Sequence, residues 1–101
     1  MSNFIENNTY PVSLEEVKAH LNIIGESDDS ELVLLIPVAV DYVQGIVGRT
    51  LTGDDNVSGT LKLAILMAIA FFYENRGDES GSKSEPVAAK NLALRERHSA
   101  V

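Results

Sequence analysis

The stretch Asp54-Asp-Asn56-Val-Ser58-Gly59 has the spacing that opens a calcium-binding loop. Such a loop places oxygen ligands at its first, third and fifth positions and a glycine at the sixth. Its twelfth position should supply a bidentate carboxylate, and here that position is Ile65. An apolar residue cannot close the coordination shell, so the stretch reads as a turn with an Asp/Asn cap. His20 and His98 are the two histidines. Positions i+3 and i+4 from His20 are Ile23 and Ile24, which leaves no helical pair of metal ligands. No serine has a histidine and an acid near it in triad fashion, and no glycine-rich loop would cradle a phosphate. The acid pairs Glu15/Glu16, Asp28/Asp29 and Asp54/Asp55 are adjacent in sequence, and adjacent side chains on a helix do not face each other. They read as helix caps and solvated faces. No catalytic residue, metal-ligand set or cofactor site is therefore expected.

One polar cluster remains, in Ala70-Phe-Phe-Tyr-Glu-Asn-Arg-Gly-Asp78, where an apolar run ends abruptly in charge. Each residue suits a helix end. Arg76 can satisfy the last carbonyls, Gly77 can cap, and Tyr73 can keep its ring inside and its hydroxyl outside. The functional alternative is that Glu74 and Arg76 also form ion pairs with a neighbouring subunit and fix the register between copies.

The elements that would carry these residues are helical. After a polar start, Tyr10-Pro11 reads as an extended approach. Ser13-Leu-Glu-Glu16 is a capping box. Leu14, Val17 and Leu21 then recur on one face of a short helix, with Gly25 as its stop. Ser27-Asp-Asp-Ser-Glu31 opens a second helix, from about residue 29 to Val47, with Gly48 as its C-terminal signal. Leu32, Leu35, Ile36, Ala39, Val43, Ile46 and Val47 share one face of it, and Tyr42 lies at the edge. Leu34, Pro37 and Val38 fall on the opposite face among polar residues, where a lone monomer has no need of apolar side chains. Pro37 removes one backbone hydrogen bond, so a kink is expected there. Residues 49–59 read as a loop in which 49–52 could pair briefly as a strand. Ser58 or Thr60 caps a third helix, Thr60 to about Asn75, whose centre is apolar in every direction. Such a helix is wrapped on all sides, either by the fourth segment or by another subunit. Residues 77–85 form a polar linker. Pro86 opens a C-terminal helix of about residues 86–97, with Val87, Ala88, Leu92 and Leu94 as its apolar residues. The expectation is a single all-α domain over 1–101, with its three-helix core at about 10–78.

The totals agree. The 101 residues, 45% of them hydrophobic, suit one small domain and not a disordered chain. There is no cysteine, hence no disulfide and no thiolate metal site. The longest unbroken apolar run, Leu63–Tyr73, is short of the ~20 residues of a membrane span, and the N-terminus lacks the pattern of a signal peptide. A soluble cytosolic protein with no membrane partner is expected. Charge is uneven: residues 1–82 carry thirteen Asp/Glu against four Lys/Arg, and residues 83–101 carry two against four. An acidic body lacks the clustered cations that grip nucleic acid. A helix-turn-helix DNA binder is disfavoured for the same reason.

In order and spacing these pieces resemble the small head–tail connector (adaptor) proteins of tailed phages, also labelled DNA-packaging proteins. The residues that carry the resemblance are Val12-Ser-Leu-Glu-Glu-Val-Lys-Ala-His-Leu21, the start Ser27-Asp-Asp-Ser-Glu-Leu32, the end Tyr42-Val-Gln-Gly-Ile-Val-Gly-Arg49, and Leu61 to Gly77 with its Tyr73-Glu-Asn-Arg76. The likeness covers about residues 10–78. The chain departs from it in having Ser58-Gly-Thr60, where a proline is frequent ahead of the third helix, in lacking a Trp or His near Phe72, and in having Pro37.

The resemblance implies a non-enzymatic structural protein of a phage or prophage. It would form a ring of about a dozen copies beneath the portal, in the neck of a virion assembled in the host cytoplasm. DNA would pass through the channel without sequence-specific binding. The ring would touch the portal protein above and a neck or tail protein below. Leu34, Pro37, Val38, Arg49, Tyr73, Glu74 and Arg76 are then the candidate subunit contacts. Arg49 is expected to meet Glu74 within or between chains. Lys90, Arg95 and Arg97 of the mildly basic tail are the candidate portal contacts. The alternative is a small acidic helical interaction or regulatory module that does not form rings.

Overall fold

A computed structural model describes residues 10–52, 57–75 and 85–96, and among them the chain is all helix and loop. The elements are α1 (Leu14–Leu21), α2 (Asp29–Val47), α3 (Gly59–Glu74) and α4 (Val87–Arg95). The expected strand pairing at 49–52 does not occur. Residues 76–84, which hold most of the expected linker, lie outside the described residues, as does the Asp54–Asn56 part of the calcium-like stretch.

Local signals set the helix starts. Ser13 Oγ accepts from Glu16 N at 3.1 Å, and Ser13 N donates to Glu16 Oε1 at 2.8 Å, the reciprocal pattern of a capping box. Ser58, not Thr60, caps α3, its Oγ accepting from Leu61 N at 3.1 Å. Asp28 stands at the N-cap of α2 but makes no side-chain cap bond, because its carboxylate is used elsewhere. Pro86 occupies the N-cap of α4, not its first helical position.

The ends differ more from expectation. α1 stops at Asn22, in the left-handed region with φ 61, three residues before Gly25. Asn tolerates this conformation better than other side chains because its short amide bonds locally. Gly48, with φ 91, ends α2 as expected. α2 runs through Pro37 without a break, although the Val33 carbonyl has lost its intrahelical donor.

The core lies between α2 and α3 and is closed by α4 on one side and α1 on the other. Val17, Leu32, Ile36, Ala39, Val40, Val43, Leu61, Ile65 and Ile69 are buried in it. Val40 belongs to it although the face read from the sequence omitted it. Leu51, in the loop after α2, is fully buried, with its N–H donating to Gln44 Oε1 at 2.8 Å. α4 therefore does much of the wrapping that α3 demands. It does so through Ala89 and Ala93, which are buried, and not through Val87, Ala88 and Leu94, which are exposed. Alanines let two helices approach closely, and Leu92 packs against the edge of the core as the sequence suggested.

By length and composition α2, with 19 residues and mean hydropathy 1.6, could cross a membrane. The test on unbroken apolar runs misses it because a few polar residues interrupt it. One third of it is buried against the rest of the chain, and exposed Asp41 sits on its outer side. Both features fit a core helix with one uncovered apolar face.

Candidate functional site: an apolar ridge and a groove

Five polar ties fix the helices of the fold. Tyr73 donates its hydroxyl to Asp28 Oδ2, which fastens the end of α3 to the start of α2. The hydroxyl is thus engaged within the chain, in a partly buried position. Lys62 of α3 pairs with Glu16 of α1 at 2.9 Å, and Lys18 of α1 pairs with Asp29 of α2 at 2.8 Å. At the other end of α3, Ser58 Oγ donates to Glu96 Oε1 at 3.2 Å, so α4 runs antiparallel to α3. Tyr42 packs edge-on against Phe72 with ring centroids 6.0 Å apart. It also donates to Glu85 Oε1 at 3.1 Å, which anchors the entry to α4.

Two of these groups titrate away from their ordinary values. The bond from Lys62 holds the Glu16 carboxyl below 4.5, against a desolvation that pulls the other way and with help from Ser13. Partial burial, and then the Glu85 carboxylate beside it, raise the Tyr42 phenol. Both groups serve the packing of helices. Among the described residues no His, Cys, Asp and Glu cluster could hold a metal ion.

The uncovered surface is apolar. On the outer side of α2, Val33, Leu34 and Val38 are 50%, 69% and 51% exposed, with Pro37 half-buried between them. Together they form a ridge. Leu34, Pro37 and Val38 were legible from the helical wheel, whereas Val33 was missed because it borders the buried face. A shallow hollow of about 390 Å³ beside the ridge is lined by Tyr10, Pro37, Val38, Val40, Asp41 and Gln44. Ile24, between α1 and α2, is 98% exposed.

A second feature is concave. Met67, Ala70, Phe71 and Glu74 recur at i, i+3, i+4 and i+7 on α3 and floor a groove of about 280 Å³. Its walls are His20 at the end of α1 and Pro86 to Ala89 at the start of α4. Leu63, one turn before Met67 on the same stripe, is exposed. The sequence carried the signal for this groove, since α3 is apolar all round and α4 is too short to cover all of it.

The remaining candidates are scattered. Arg49, just past the C-terminal end of α2, and Glu74, at the end of α3, are exposed. Among the described residues no ion pair joins them. The Tyr73–Asp28 bond also ties the end of α3 to the start of α2, the opposite end from Arg49. Lys90 faces Glu85 at a loose 3.7 Å, and Arg95 is exposed in the last turn of α4. Arg76 and Arg97 lie outside the described residues.

A family model described as "Phage gp6-like head-tail connector protein" matches residues 11–94. That span reaches past the likeness at 10–78 and takes in α4. No curated protein and no solved structure gives a significant match.

Proposed function

The chain belongs to the phage gp6-like head–tail connector family, and from that premise we propose that it is one subunit of a ring beneath the portal of a tailed phage or prophage. About a dozen copies, related by heterologous contacts that close on themselves, extend the DNA channel. They join the capsid vertex to the next neck or tail component. The particle's neck is its place, and the host cytoplasm is where it assembles. The observation that carries the reading is the α2 ridge. A small monomer gains nothing from exposing Leu34 and Val38, whereas burying the half to two-thirds of each that is exposed contributes roughly 1–2 kcal/mol at a subunit contact.

Other features support the same role. The chain carries a net charge of −7, which suits a conduit through which DNA slides without adhering. Arg49 and Glu74 form no ion pair with each other among the described residues, which leaves them available for a contact between chains. The exposed Arg95, with Lys90 released from its weak contact to Glu85 and Arg97 beyond it, is the cationic edge for an acidic portal surface.

Light scattering on a sizing column, with the protein alone and then with a matching portal, tests the proposal. The expected result is a particle of about a dozen subunits or a stoichiometric portal complex, seen as rings by negative-stain imaging. A monomer or dimer that ignores the portal at high concentration would overturn it and leave an acidic interaction module that docks through the ridge.

A further inference from the structure

We propose that the ridge of α2 in one copy lies in the α3 groove of the next, with the two helices running in the same direction; this rests on the ring reading above. A ring of identical subunits needs two different surfaces that fit each other, because a patch that meets its own copy closes at a dimer. The described surface offers a convex apolar ridge on α2 and an apolar groove on α3, two features on different elements. The groove, at about 280 Å³, falls just below the range of small-molecule sites and suits side chains from a helix.

The two helices match in spacing. Leu34, Val38, Asp41 and Gly45 on α2 recur at the same intervals as Leu63, Met67, Ala70 and Glu74 on α3. Laid along each other in that register, exposed Leu34 meets exposed Leu63, and Val38 meets Met67 on the groove floor. Gly45, which has no side chain and open space around it, faces Glu74. Arg49 stands one turn further on and reaches back to that carboxylate. Asp41 falls beside Ala70, where His20 forms the wall. The charged end, Arg49 with Glu74, is complementary only in this direction. Reversing the helix would carry Arg49 away from Glu74.

Cysteine cross-linking tests this in the full chain, which has no cysteine of its own. Val38→Cys and Met67→Cys are made singly and together, and helicity and melting are checked by circular dichroism. The variants are oxidised under the conditions in which scattering shows assembly, with portal present if assembly needs it. A disulfide holds Cβ atoms about 4 Å apart, so the cross-link reports direct contact. The mixed single variants should give a covalent dimer that neither gives alone, and the double variant a ladder of multimers. Arg49→Glu or Glu74→Arg should each cut the yield about tenfold, and the two together should restore most of it. Cross-linking of Val38→Cys to itself would mean that ridge meets ridge and would overturn the inference. Full assembly without ridge-to-groove cross-links would overturn the inference and leave the ring standing. Absence of any assembly, with or without portal, would overturn both.

Discussion

Glu16 does two jobs at once. It completes the capping box of α1 through Ser13 and holds Lys62 of α3. The first job was plain from four consecutive residues. The second was not, because nothing in the sequence says which of the chain's few lysines will face it once the helices pack. Its carboxyl is held below 4.5 in the folded chain, so its charge stabilises the fold above the unfolded value and that contribution fades as pH falls through the folded one. Glu16→Gln keeps a capping side chain and removes the charge. The two side chains are 38% and 43% exposed and so partly screened by water, and the loss at pH 7 should stay under about 1 kcal/mol. Thermal melts should show the variant a few degrees lower at neutral pH and level with the parent once the pH lies below the folded value. A gap that persists in acid would place the effect in shape and not in charge. Tyr73 makes the same point about legibility. Its position at a helix end was readable, but its bond to Asp28 joins residues that are 45 apart in sequence, and a helical wheel is blind to that.

The helices themselves were legible to within a few residues, because the starts of α1, α2 and α3 carry a Ser or an Asp, that of α4 carries Pro86, and apolar residues recur at helical spacing. The exceptions have physical reasons. Asn22 took the left-handed cap that Gly25 was expected to take, since Asn also visits that region. Leu51 entered the core from a loop, and no periodicity marks a single buried residue. Of the apolar residues read for α4, Leu92 packs against the core, but Val87, Ala88 and Leu94 are exposed and close contact with α3 selects Ala89 and Ala93. Pro37 remains the odd element of α2. It costs the helix a hydrogen bond, and a proline in a helix interior is worth up to ~3 kcal/mol against alanine. Since it lies on the outer side of α2, away from α3, Pro37→Ala should raise the melting temperature of the monomer by several degrees. If it lowers it, the ring of Pro37 is packing against the fold. If it raises it while weakening assembly, the proline shapes the ridge for a partner, and stability is given up for contact.

At the scale of the molecule, α2 turns one apolar face into the core and leaves an opposite apolar face uncovered. Leu32 is fully buried against α3, and Leu34, two residues on, is 69% exposed. The two leucines have the same chemistry and nearly the same sequence context, so only their surroundings can separate their roles. Leu32→Ala opens a cavity in the core and should cost about 2–5 kcal/mol, enough to unfold much of a small domain, with assembly failing only as a consequence. Leu34→Ser removes an apolar surface that water already touches, and the folded monomer should keep its stability to within about 0.5 kcal/mol. If the ridge is a subunit contact, the same substitution withdraws roughly 1–2 kcal/mol at every interface of a ring. Because every subunit contributes one such contact, the loss recurs around the circle. Melting and light scattering on the two variants therefore form one experiment. A Leu34→Ser protein that melts normally and no longer assembles would show that the outer face of α2 is kept apolar for partners. One that assembles as well as its parent would show that the contacts lie elsewhere, and Ile24 with the α3 groove would be the surfaces to test next.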